Sequence, residues 1–297
     1  MEQSHLEIIS YTDPYCTWCW GSEPILRKLE EVYGDQVTIS YVMGGLVEDM
    51  RKFSDPGAGI GGELWYKQVA DHWLEASDRH KMPVDEQVYY DVKDDVFSTY
   101  PACIAFKAAQ FQGEKNGNRY LRRLREAGAA ERMVIQNTEI QADLAEGIGL
   151  DRDKFLKTLE NRTAEKAFRE DLKICRNKGV RGFPTFLLRG NEKEILLRGY
   201  NSYETFESWF KELTNNKIEA KKLKGESAEI FSFISKYGKA AAMEVATVYD
   251  LSLTDSETLL KEMTIKGLIT ETKAGNGFFY SLPEKAMECD VFTGKCL

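Results

Sequence analysis

Two cysteines two residues apart, Cys16-Thr17-Trp18-Cys19, sit where a short apolar run gives way to a helical pattern, and this placement narrows the folds open to the chain. Leu6-Glu7-Ile8-Ile9-Ser10-Tyr11 reads as a short buried strand, and Asp13-Pro14 as a turn. The helix that follows starts at or near Cys16. A thiol at a helix start meets unpaired backbone N–H groups and the positive end of the helix dipole, which favour its thiolate. A second thiol three positions on can resolve a mixed disulfide. Pro24 kinks the helix after its first turn by removing a backbone hydrogen bond. Ile25, Leu26, Leu29 and Val32 then form an apolar face, Gly34 stops the helix, and Val37 to Met43 is a second strand. The result is a β–α–β unit with the reactive pair at the carboxyl end of its first strand, where open α/β sheets place their sites.

From Phe53 to Arg169 no strand-like run occurs. Gly57, Gly59, Gly61 and Gly62 form a loop that lacks the Lys-Ser/Thr ending of a phosphate cradle. The rest is helical, with faces such as Leu64, Trp65, Val69 and Trp73, and an all-helical insertion is expected. Strands return with Val180 to Leu188, introduced by Phe183-Pro184, and with Ile195-Leu196-Leu197, and Tyr203 to Leu213 closes as an amphipathic helix. The polar, basic run from residue 215 to 225 reads as a linker. Beyond it, three helices and two strands, Gly267 to Thr270 and Phe278 to Leu282 around Gly275-Asn276-Gly277, have the order of a winged helix.

Redox chemistry explains the cysteine pair better than half of a structural zinc site, because no second tight pair of ligands accompanies it. A cis Phe183–Pro184 bond would turn the backbone of Phe183 toward the sulfurs to pair with an extended substrate; a trans proline opening an edge strand is the plain alternative. With Asp13-Pro14-Tyr15-Cys16-Thr17-Trp18-Cys19-Trp20-Gly21, Pro24 and Gly179-Val180-Arg181-Gly182-Phe183-Pro184-Thr185 in hand, the chain resembles the DsbA-like branch of the thioredoxin superfamily over roughly residues 6 to 214. Within that branch it is most similar to the FrnE-like group, often described as dithiol-disulfide isomerases. The resemblance implies Cys16 as nucleophile, Cys19 as resolving thiol, Trp18, Phe183 and Pro184 as substrate-binding residues, and a helical domain inserted into a thioredoxin fold. It also implies a second redox pair at Cys289 and Cys296, although two unrelated thiols near the chain end are the simpler reading. The resemblance departs at Thr17-Trp18, where the periplasmic oxidant has Pro-His.

His72 and His80 are read as surface or core residues, and Cys103 and Cys175 as buried apolar ones. The expected fold is an α/β thioredoxin domain (residues 1–52 and 170–214) with a helical insertion (53–169), a linker (215–225) and a winged-helix-like α+β domain (226–297). Composition excludes disorder: of 297 residues, 42% are hydrophobic and 30% charged. A net charge of −8 and the absence of a span-length apolar run argue against nucleic acid and membrane as partners. The C-terminal segment 226–297 carries seven lysines, no arginine and eleven acidic residues, so it suits a protein partner or a homodimer better than DNA. No signal-peptide pattern opens the sequence, and the cytoplasm is the expected compartment. A reducing compartment points to a reductase or isomerase acting on protein disulfides, with no bound cofactor beyond the redox-active pair and a thiol reductant such as glutathione or the thioredoxin system. Two other functions fit the same residues: a non-catalytic adaptor that binds proteins on a thioredoxin-like scaffold, and a glutathione-dependent isomerase or transferase of the kappa-class type.

Overall fold

The computed structural model describes residues 5–283. Its central sheet has the order β2-β1-β5-β6, built from β1 (Leu6–Thr12), β2 (Val37–Met43), β5 (Thr185–Gly190) and β6 (Lys193–Arg198). β1 runs parallel to β2, in register from Leu6 opposite Val37 to Thr12 opposite Met43, and antiparallel to β5. The apolar Leu6, Ile8, Ile9 and Tyr11 of β1 suit this central place, because both of its faces are covered. One face packs Leu6 and Ile8 against Ile25 and Leu29 of α2 (Glu23–Tyr33) and Phe206 and Phe210 of α10 (Tyr203–Thr214). The other packs Tyr11 and Leu187 against Cys175 of α9 (Thr163–Asn177).

Pro24 does not kink a continuous helix. The first turn is a separate short helix, α1 (Thr17–Gly21), and Pro24 occupies the first turn of α2, where the missing N–H costs nothing. Between β2 and β5 lie α3 (Trp65–His80), α4 (Val88–Asp91), α5 (Tyr100–Gln110), α6 (Glu114–Ala130), α7 (Thr138–Gly147), α8 (Arg152–Glu160) and α9. The glycine-rich loop before them also holds a two-residue hairpin, β3 (Ser54–Asp55) and β4 (Ile60–Gly61), which the sequence pattern does not announce. An aromatic cluster centres these helices, with Trp65 stacked on Phe97 at 5.1 Å and Trp73 edge-on to Tyr89 at 5.0 Å.

After α10 the chain forms α11 (Ser227–Tyr237), β7 (Lys239–Ala241), α12 (Ala242–Val248), α13 (Leu253–Ile265), β8 (Thr270–Ala274) and β9 (Gly277–Ser281), with the strands in the order β7-β9-β8. Two details differ from the sequence reading. β7 is an extra strand, and the hairpin starts at polar Thr270 rather than at Gly267, because β8 is an exposed edge strand whose residues face water up to Ala274.

This C-terminal module is locked onto the body. Phe279 and Ala241 join the same core as Trp20 and the helical cluster. Asn276 donates its N–H to the Val84 carbonyl (2.9 Å), accepts the Val84 N–H on Oδ1 (2.9 Å) and reaches Ser77 Oγ (3.1 Å). Residues 215–225 are also held: Lys221 N–H donates to Val32 O (2.8 Å), Glu219 exchanges two hydrogen bonds with the Gln36 amide, and Ile218 and Leu223 pack into the core.

Candidate functional site

The chain leaves β1 through Asp13, whose buried carboxylate organises the turn that carries the cysteines. Its Oδ1 accepts the Tyr15 N–H (2.8 Å), and its Oδ2 accepts the Leu46 N–H (2.7 Å), the Thr99 hydroxyl (2.7 Å) and the Cys103 thiol (3.3 Å). Burial pushes the Asp13 carboxyl up from its ordinary range, and these donors offset only part of that. Cys16 caps α1: its Sγ accepts the Cys19 N–H at 3.2 Å. Both thiols are enclosed, with Cys16 5% and Cys19 2% exposed, and both are free.

This burial reverses the electrostatics expected at a helix start. Enclosure pushes the Cys16 thiol well up, and its hydrogen bond with Cys19 adds to that. Enclosure opposes ionisation of Cys19 too, but the hydrogen bond from Cys16, the Arg125 guanidinium and Thr12 together bring that thiol down. Arg125 is itself buried, donating to Thr12 Oγ1 and to Glu23.

Trp18 stands at the mouth of the turn among groups that the motif alone does not reveal. Its ring meets those of His72 (6.3 Å), His80 (6.1 Å) and Tyr200 (5.8 Å), with the Arg79 guanidinium 6.0 Å away. The Phe183–Pro184 bond is cis. Thr185 pairs with Tyr11, so Phe183 and Pro184 lie beside the turn that follows β1. The Phe183 ring covers Gly44, where any Cβ would fall 1.9 Å from a ring carbon. The structure thus gathers Cys16, Trp18 and Cys19 on one turn, with Phe183 and Pro184 at the adjoining strand end; Cys289 and Cys296 lie outside the described residues.

His80 is a core residue that supports the site from beneath. Nδ1 accepts the Met82 N–H (3.1 Å), which leaves Nε2 to donate to Thr17 Oγ1 (3.3 Å). Gly21 makes room for it: a Cβ there would lie 2.4 Å from the imidazole. Burial pushes the His80 pKa down to about 4. The unfolded chain protonates near pH 6.5 while the folded one resists until about pH 4, so this contribution to stability is complete above pH 6.5 and is lost as pH falls toward 4. The expected loss is about 3 kcal/mol, and urea unfolding across that range should show that part of the slope flattened in His80→Gln. An unchanged slope would refute the buried neutral imidazole.

A sheet of order β2-β1-β5-β6, with a Cys-x-x-Cys turn after β1 and a cis proline before β5, defines a thioredoxin-fold protein. Residues 9–208 match the family described as Thioredoxin, and the chain belongs to that family. It is similar to the ClpXP adapter protein SpxH of Bacillus subtilis (28% identity over 93% of this chain and 88% of the relative) and of Halalkalibacterium halodurans (30% over 88% and 83%). Among solved structures, a candidate protein disulfide isomerase from Nitrosomonas europaea superposes with a TM-score of 0.58 at 17% identity, covering 70% of this chain and 98% of that one, a likeness of fold.

These relatives overturn the expectation of a thiol–disulfide reductase or isomerase as the main function, because they are adapter proteins. The physical reason is visible at the motif. A fold shared with oxidoreductases preserves the turn, but here both sulfurs are enclosed by the groups packed around them.

Proposed function

We propose that the chain is a non-catalytic cytoplasmic adaptor that holds a client protein and works with a ClpXP-type protease. The observation that carries this reading is the reach of the adapter relatives: they match 88–93% of the chain, which takes in the C-terminal module as well as the thioredoxin-like body. In this reading the Cys16–Cys19 turn, Trp18 and Phe183-Pro184 form a wall of a protein-binding surface. Half-exposed Tyr200 and Leu46 supply apolar contact area nearby. The C-terminal module, winged-helix-like in the order of its helices and hairpin, offers a second protein-binding face, on which Ile265 is 85% exposed. Acidic Asp255 in the first turn of α13 makes that face unsuited to a phosphate backbone.

The test is protein turnover in cells lacking the chain. Specific ClpXP clients should accumulate with lengthened half-lives, and both the wild type and Cys16→Ala/Cys19→Ala should restore their degradation. If no half-life changes, or if only the wild type rescues, the adaptor reading fails.

A further inference from the structure

β6 is an outer strand of the central sheet, and its far edge pairs with no other strand among the described residues. Asn191 and Glu192, both at positive φ (45° and 64°), join it to β5 in a two-residue turn, with Gly190 opposite Lys193. Alternate residues of such a hairpin bond to the partner strand, so Lys193, Ile195 and Leu197 turn their N–H and C=O groups toward β5. The Gly199 N–H, donated to the Pro184 carbonyl at 2.9 Å, carries the same alternation past the strand end. Glu194, Leu196 and Arg198 therefore aim their main-chain groups away from the sheet. Of these groups only the Arg198 carbonyl is engaged among the described residues: it accepts the Asn201 side-chain amide at 3.3 Å and keeps a second lone pair.

Edge strands are ordinarily guarded by a central charge, a proline or a bulge. β6 has none of these. Its register with β5 is unbroken, its middle is Ile195-Leu196-Leu197, and Ile195 and Leu196 are only half-buried. The other exposed edge, β8, is polar from Thr270 to Lys273. Charge on β6 sits at its ends, and it is complementary. Glu194, near the turn, is exposed and meets Lys178 (2.8 Å) and Arg189 (3.4 Å), the second shared with Glu7 (2.8 Å). Arg198, at the other end, is exposed and has no carboxylate partner among the described residues.

We propose that the occupant of this edge is a second copy of the same chain, the two β6 strands pairing antiparallel about a two-fold axis at Leu196. This register sets Leu196 against Leu196 of the second copy, Ile195 against its Leu197, and Glu194 against its Arg198, the last two pairs each occurring twice by symmetry. The outward main-chain groups meet in the same register and form about six hydrogen bonds. A slip of two residues either way keeps main-chain bonding but sets Leu196 against a charge and parts Glu194 from Arg198. The two four-stranded sheets become one continuous sheet. A seam this short buries less than a standard stable interface, so the dimer is of roughly micromolar affinity. The proposal does not depend on the adaptor reading and uses neither the Cys16–Cys19 turn nor the C-terminal module.

Sedimentation velocity of the full chain from about 1 to 100 µM, with a thiol reductant present, tests this. Wild type should move from monomer to dimer across that range. Arg198→Glu, a reversal on an exposed side chain that opposes two pairs of carboxylates, should weaken the dimer at least about fivefold. Leu196→Lys, which sets two ammonium groups together on the axis, should weaken it at least about tenfold. Lys273→Glu on the β8 edge should leave it unchanged. A wild type that stays monomeric throughout leaves the edge to a strand of another protein and overturns the proposal. So does a dimer that either β6 variant forms as tightly as Lys273→Glu.

Discussion

Glu244→Ala is expected to destabilise the chain by about 3–5 kcal/mol, the cost of leaving buried positive charge without its partner. The Glu244 carboxylate is fully enclosed; Oε1 lies 2.7 Å from Arg27 and 2.9 Å from Arg122, and Oε2 accepts the Ala241 N–H (2.8 Å) and an Arg122 N–H (3.0 Å). Without it, Arg27 keeps the Lys239 carbonyl (3.2 Å) and the faces of Tyr237 (4.3 Å) and Phe233 (5.7 Å), none of which neutralises a guanidinium. Arg122 still has Glu23 and Glu126, so the main penalty falls on Arg27. Replacing both partners should recover most of the loss, because an apolar pair needs no compensation. Urea unfolding of Glu244→Ala beside Arg27→Met/Glu244→Leu checks this; a double variant as unstable as the single one would show that shape, not charge, dominates the position.

Gly275→Ala is expected to cost about 3 kcal/mol and to loosen the C-terminal module, for a backbone reason. At Gly275 φ is +49°, and a Cβ would fall 2.0 Å from the Val84 carbonyl oxygen and 2.6 Å from the Asp85 nitrogen. No rotamer change relieves a clash with backbone, so the hairpin must back away and release the Asn276–Val84 pair of hydrogen bonds. Limited proteolysis should then cut within residues 215–225 much faster than in wild type, with the melting temperature lowered by several degrees. An unchanged cleavage rate would contradict the docking role of the turn.

The framework of the fold was legible because its signals are local. β1 reads as a strand from its own apolar run, α2 from its spacing, and the Cys16–Cys19 turn from its position between them. What escaped depends on partners far along the chain. Thr270–Ala274 is too polar to look like a strand, and only pairing with β9 makes it one. His80, Tyr200 and Arg79 reach Trp18 from separate elements, and Arg125 reaches Thr12 across 113 positions. Gly21 carried a usable hint, since a glycine right after the motif signals close approach, in this case by His80. The function was misread for a related reason. The motif reports the presence of two thiols, whereas their enclosure, which raises Cys16, is a property of everything packed around them.

The pinned segment 215–225 has a consequence for how two partners could share this molecule. A flexible tether of that length would let whatever the module holds sample a cloud of positions, with an effective concentration set by chain statistics. Here Lys221, Glu219, Ile218 and Leu223 are fastened to the body, and the module sits on a buried ionic seam. The molecule behaves as a fixed bracket: partners bound on its two parts would meet at one distance and one orientation, and lengthening the join would spoil that alignment rather than extend its reach.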